Sequence, residues 1–180
     1  MNKKIRWITE TAMMLALLVT LQWLTKPVGQ LLTGSCVNAV LATTVLVAGL
    51  SSGITVALIS PVLAYLLNIA PQILTVPVIM VGNTLFVVLL HLIAGKDNGI
   101  VKRVIAWIAA AAVKFAVMFA LVSWGICGVL APTLMAAGTL KEKMLTALPA
   151  TFGVTQLFTA LIGGGLALVI VPAIRKALKR

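Results

Sequence analysis

From Trp7 to Leu24 the chain runs for 18 residues with a single acid, Glu10, and no base. As a helix this stretch would extend about 27 Å, close to the ~30 Å thickness of a bilayer's hydrocarbon core. A backbone in lipid must satisfy its own amides and carbonyls, so apolar runs of this length, without alternation, specify helices. Five more runs follow, and the expected spans are 7–25, 35–51, 53–69, 71–93, 103–125 and 148–172. The punctuation between them is Pro27, Gly29 and Gly34 in "TKPVGQLLTG", a tight turn at "SSG" (51–53), Pro71 in the first turn of the fourth span, and "AGKDNGIVKR". The stretch 126–147 is read as a connection with enough apolar character to hold a short interfacial or re-entrant helix. The expected fold class is an all-α integral membrane protein, six transmembrane helices in one bundle, forming one domain over 1–180.

Composition supports the choice of solvent. With 62% hydrophobic and 9% charged residues and a mean hydropathy of +1.18, the chain has too little polar surface to coat a soluble globule. The basic start "MNKKIRW" matches the n-region of a signal peptide, but no A-x-A site precedes "TKPVGQ", so the first run is expected to persist as a mature helix. The net charge of +11 comes from bases grouped between apolar runs, a pattern suited to anionic lipid rather than nucleic acid. Counting them in alternate connections puts Lys3, Lys4, Arg6, Lys96, Lys102, Arg103, Arg175, Lys176, Lys179 and Arg180 on one side and Lys26, Lys141 and Lys143 on the other. Positively charged connections stay inside, so both termini are expected in the cytoplasm, with the chain a multi-pass protein of a cell membrane.

Catalytic and metal chemistry find few residues to work with. One histidine and three acids do not assemble the ligand set of a membrane metallohydrolase, and no GxSxG segment supplies a nucleophile elbow. Cys36 and Cys127 lack CxxC spacing, and a disulfide between them requires both on the oxidising side. The expectation is therefore no catalytic residue, no metal and no cofactor.

Lys114, in "AAAAVKFAVMFA", is the remaining base, and it falls near the bilayer midplane. A charge there costs about 2.5 to 3.5 kcal/mol on insertion scales unless it faces a cavity, the bundle interior or a counter-charge. No acid lies in the outer half of any expected span, so two readings stand: an exogenous anion meets Lys114, or the amine is neutral or solvated and bonded to backbone carbonyls and amides. Ser35, Asn38, Asn68, Gln72, Asn83 and Gln156 fall in the outer halves of their spans and are expected to form an outward-opening polar pocket floored by Asn83 and Lys114. Each amide alone would equally serve to tie two helices together. Trp23 and Trp124 sit near outer helix ends, where aromatic anchoring is the ordinary role and stacking on a flat ligand from the pocket rim, by Trp124 especially, is the functional one.

Ala12 and Ala16, one turn apart, make a flat stripe that lets another helix approach closely. "A-M-M-L-A" resembles the AxxxA motif in the first helix of the substrate-binding S components of energy-coupling factor (ECF) transporters. The resemblance extends to the whole chain, including its length, six spans, basic N-terminus and a long first external loop entering the second span through "TGSCVNAVL". It implies an outward-facing pocket for a vitamin or related micronutrient, with the loop bearing Gln30 and Thr33 as a gate. It also implies docking through Ala12 and Ala16 on a transmembrane coupling subunit driven by two cytoplasmic ATPases. Two other classes compete: a self-sufficient small secondary transporter, which usually shows internal repeats and a proton-carrying acid, and a membrane assembly or structural protein, which would keep the alanine seam without a ligand pocket. Glu10 has an ordinary partner in Arg6, four residues earlier.

Overall fold

The computed structural model describes residues 2–69, 72–94 and 99–178. Pro71, Lys96, Asp97, Lys179 and Arg180, on which parts of the expected punctuation and charge count rest, lie outside the described residues. Among the described residues every regular element is helical: α1 (Lys3–Thr25), α2 (Gln30–Val47), α3 (Leu50–Leu66), α4 (Val76–Ala94), α5 (Ile100–Ala120), α6 (Ala131–Ala136), α7 (Glu142–Phe152) and α8 (Val154–Ala177). A 3-10 turn at Lys26–Val28 links α1 to α2, another at Ile73–Thr75 leads into α4, and a π-helical stretch, Leu121–Val129, prolongs α5. Five helical stretches are long and apolar enough to cross a membrane, and α3 is a shorter apolar helix of 17 residues.

Several boundaries differ from the sequence expectation. The first connection is four residues, Lys26–Gly29, rather than a long loop, because Gly29 at φ 125° reverses the chain and α2 begins at once. Gln30 and Thr33 therefore occupy the first turn of α2, where the Thr33 hydroxyl donates to the Gly29 carbonyl at 3.0 Å. The turn between the next two helices sits at Ala48–Gly49, not at "SSG", since Gly49 at φ 96° supplies the left-handed backbone. Ser52 and Gly53 are instead buried helical residues: Ser52 meets α1, and a Cβ on Gly53 would come within 3.0 Å of the Val45 side chain. The expected connection 126–147 contains the end of the π-helical stretch, α6 and the start of α7, and the last expected span, 148–172, is interrupted at Gly153 where α8 starts afresh.

Cross-helix hydrogen bonds fix relative directions. The hydroxyls of Thr11 in α1 and Ser52 at the start of α3 are hydrogen-bonded (2.9 Å), and Lys26, after α1, donates to the Asn68 carbonyl after α3, so these helices run parallel. Asn38 and Thr159 meet in the first halves of α2 and α8, and Arg175 donates to the Leu46 carbonyl near the ends of both, so this pair is parallel too. One end of the bundle consequently gathers the start of α1, the end of α2, the start of α3 and the end of α8. The Arg6–Glu10 pair lies there at 2.9 Å, as expected from its spacing.

Two apolar clusters hold the bundle. The larger packs Leu41, Val56, Phe86, Val87, Ala110 and Ala167, all essentially inaccessible, at the junction of α2, α3, α4, α5 and α8. The smaller joins Val78, Met118, Val122, Ile126, Leu148 and Phe152, so α7 and the π-helical stretch cover one end of the molecule. Burying such side chains drives no association against lipid tails, and close contact of backbones must do more of the work. The α2–α8 seam, the most extensively packed helix pair, shows how. A Cβ on Gly163 would stand 2.7 Å from the Ala39 amide nitrogen and 2.7 Å from Asn38 Cβ, while one on Gly34 would meet Thr159. Replacing Gly163 with Ala should therefore cost about 1 to 3 kcal/mol through overpacking against backbone. Thermal unfolding of the detergent-solubilised protein should show this loss, and Gly125→Ala, whose Cβ meets nothing within 4 Å, should show none.

Candidate functional site

The alanine-rich segment of α5 sets the site. Ala106, Ala110, Lys114, Met118 and Val122 recur every four residues and are all buried, which turns this stripe to the bundle interior and takes Lys114 with it. Lys114 is 2% exposed. Its position, 14 residues after Ile100, is about 21 Å along the helix.

Two neutral amides receive the amine. Lys114 Nζ donates to Asn38 Oδ1 at 2.6 Å and to Asn83 Oδ1 at 2.7 Å, and it stands 5.5 Å from the centroid of the Phe86 ring. The same Asn38 uses its Nδ2 to reach the Gly34 carbonyl (2.9 Å) and Thr159 Oγ1 (3.3 Å), and Thr159 in turn donates to the Gln156 carbonyl at 3.0 Å. A single polar chain thus joins α2, α4, α5 and α8. Side-chain amides, rather than backbone carbonyls, hold the amine, and Asn83 is the neighbour expected beside it on the pocket floor. An ammonium has three donors, and two are used within the protein among the described residues.

This node lines a cavity of about 280 Å³. Its walls include Gln22, Lys26, Gln30, Thr33, Asn38, Ser60, Asn83, Lys114, Thr151, Phe152 and Gln156. Apart from Asn83 of α4 and Lys114 of α5, these come from the later parts of α1 and α3, the first halves of α2 and α8 and the end of α7, so the cavity belongs to the end of the bundle opposite the start of α1. The residues expected in a pocket, Asn38, Asn83, Lys114 and Gln156, are brought together, and Gln30 and Thr33 join them. Gln156 donates to the Thr151 carbonyl at 3.4 Å, a long contact.

Three expected pocket members and Trp124 are elsewhere. Trp124 lies in the π-helical stretch, is 73% exposed and does not line the cavity, because it falls midway between Val122 and Ile126, on the face opposite the inward stripe. Ser35 donates to its own helix at Leu31, Asn68 adopts a left-handed turn (φ 55°) and accepts from Lys26, and Gln72 contributes no cavity wall. Trp23 is likewise exposed. Cys36 and Cys127 are unpaired. Ala12 and Ala16 are both exposed, as are neighbouring Met13 and Leu17, so no helix among the described residues covers the stripe.

The sequence reading passed over Gln22, Ser60 and Thr159. Gln22 is the lone amide in the first apolar run, and Thr159 follows Gln156 by three residues on the same helical face, a spacing that would have linked them. Ser60, before Pro61, reads as ordinary helix punctuation and carries no comparable signal.

Breaking the node has a measurable signature. Asn38→Leu leaves a buried amine short of one acceptor and should cost about 1 to 3 kcal/mol in thermal or denaturant unfolding. The same change in a Lys114→Met background should cost less, by at least about 0.5 kcal/mol, if the two side chains interact directly.

The comparisons with known proteins agree with this architecture. A family model described as "ECF transporter, substrate-specific component" matches residues 6–175. No curated protein and no solved structure matches the chain. Nearly the full length, from the last base of the N-terminal cluster to Arg175 near the end of α8, falls within that match, and the chain belongs to the substrate-specific components of ECF transporters.

Proposed function

We propose that this chain captures a compact, anionic vitamin or related micronutrient from outside the cell and passes it to an ATPase-driven coupling module. The observation that carries the reading is the cavity's floor: a buried lysine held, among the described residues, by two neutral amide oxygens, with one donor left for a ligand. A charge in that setting gains more from a carboxylate or phosphate than from any group the chain offers it. The volume of about 280 Å³ lies at the lower edge of the ~300 to 1,000 Å³ range of small-molecule pockets, favouring a small ligand over an extended one. Asn38, Asn83 and Gln156 would orient it. Six crossings, with α3 as the shortest, and cytoplasmic termini would open the cavity outward, as the bases at the starts of α1 and α5 and the end of α8 favour.

Lys114→Met should weaken binding of the molecule that co-purifies with the protein, identified by mass spectrometry, by roughly tenfold to a hundredfold or more. Equal affinity in a folded variant would move the site away from Lys114, and a cationic co-purifying molecule would end the charge argument.

The exposed stripe at Ala12 and Ala16 is the proposed dock for the transmembrane coupling subunit, which two cytoplasmic ATPases would drive. Trp at either position should abolish uptake and co-purification of that subunit while ligand binding persists. Normal assembly of both variants would return the stripe to lipid.

The α1–α2 connection is the proposed gate, now confined to Lys26–Gly29 and the first turn of α2. Lys26 latches it to the Asn68 carbonyl beyond α3, beside the cavity. A spin label at Gln30 should lose mobility when the co-purifying molecule saturates the protein, and unchanged spectra would argue for a fixed entrance.

A further inference from the structure

Six hydroxyls in this bundle illustrate what helical serines and threonines do when nothing else is asked of them. Thr9, Thr11, Thr25, Ser35, Thr44 and Thr55 each donate to the carbonyl four residues back. Ser60 breaks the habit. It is 1% exposed, lines the cavity from α3, and its Oγ has no hydrogen-bond partner among the described residues. Gln22 Oε1, on the cavity wall contributed by α1, is buried and unpartnered as well. A buried polar atom left without a partner is costly, and two on residues that line one cavity mark a place where another molecule completes the bonding.

These atoms differ in chemistry from the floor. Lys114 offers a donor, whereas Gln22 Oε1 is an acceptor and Ser60 Oγ both accepts and donates. Neither can satisfy a carboxylate as Lys114 does, and an apolar ligand end would leave both unpaired. The two groups also sit on different helices, Gln22 and Ser60 on α1 and α3, the floor on α2, α4 and α5.

Resting on the anion reading above, we infer that the cavity selects bifunctional ligands, in which an anionic group meets Lys114 and an uncharged N–H or O–H group meets Gln22 and Ser60. Gln22 and Ser60 are then specificity-determining residues, since a site that must bond a donor rejects the analogue lacking it far more strongly than it rejects a change of one methylene.

The test uses matched carboxylates that differ in one donor. Detergent-solubilised full-length protein, stripped of co-purifying molecules, is equilibrated with an equimolar mixture of 6-hydroxyhexanoate, hexanoate, N-acetyl-β-alanine and 5-oxohexanoate, and the retained compounds are quantified by mass spectrometry. Wild type should retain the hydroxyl and amide members over their partners by about tenfold, and in Ser60→Ala and Gln22→Leu that ratio should fall toward one. Thermal unfolding without any carboxylate supplies a second readout: Ser60→Ala should be no less stable than wild type, because it removes an unsatisfied group, whereas a structural role would lower its midpoint. Retention of the pairs in equal amounts by wild type, or an unchanged ratio in both variants, overturns this inference and leaves the anion reading standing. If wild type retains none of the four carboxylates, the anion reading fails and this inference fails with it.

Discussion

The bundle is organised around one amine. Lys114 cannot reach either bilayer surface from the middle of α5, so the chain must supply acceptors where it lies, and Asn38 and Asn83 do so from two other helices. Once those amides are committed, the angles among α2, α4 and α5 are constrained to keep three polar atoms within hydrogen-bonding distance. The second half of the Asn38 amide passes the constraint to α8 through Thr159. Apolar packing then fills the space around this node, with Phe86 directly against it and Met118 lining the same cavity. Polar bonds in a membrane interior are individually modest, about 0.6 kcal/mol on average. Their contribution here is to choose one arrangement among many that lipid would tolerate equally.

Glycine makes that choice sterically possible. The approach of α2 to α8 leaves no room for a side chain at Gly163, and the same seam carries Asn38 on one helix and Gln156 and Thr159 on the other. Site and seam are one structure. The cavity's remaining wall, from α1 and α3, is built differently: α1 buries only Thr11 and Leu18, and it contributes Gln22 to the cavity from a helix otherwise turned outward.

Much of this was readable from residues alone, and the failures have physical causes. Hydropathy located the long apolar helices because lipid imposes a length, and depth counted along each span brought Asn38, Asn83, Lys114 and Gln156 to one level. Depth does not determine rotation about a helix axis, so Trp124, at a suitable level, ends on the outer surface. Turn positions slipped where small residues had two explanations: "SSG" resembles a turn, yet Ser52 and Gly53 are small because α1 and α2 press against them. A short helix is expected within 126–147 and the one at 131–136 lies there, but its bounds and the helix at 142–152 could not be read because both are too short to register as spans. Unpaired atoms such as Ser60 Oγ are invisible in a sequence, since being unpaired is a property of neighbours.

The two polar attachments of α1 have a mechanical meaning. Thr11 bonds to Ser52 beside the alanine stripe, and Lys26, just past the helix, bonds to Asn68 beside the cavity. Between them runs about 22 Å of an uninterrupted helix, a rod whose outward face meets nothing among the described residues. A rod held at two points cannot tilt at one without loading the other. Force applied across the exposed alanines is delivered, through α1 itself, to the hydrogen bond at the far end, with no need for a relay through the core.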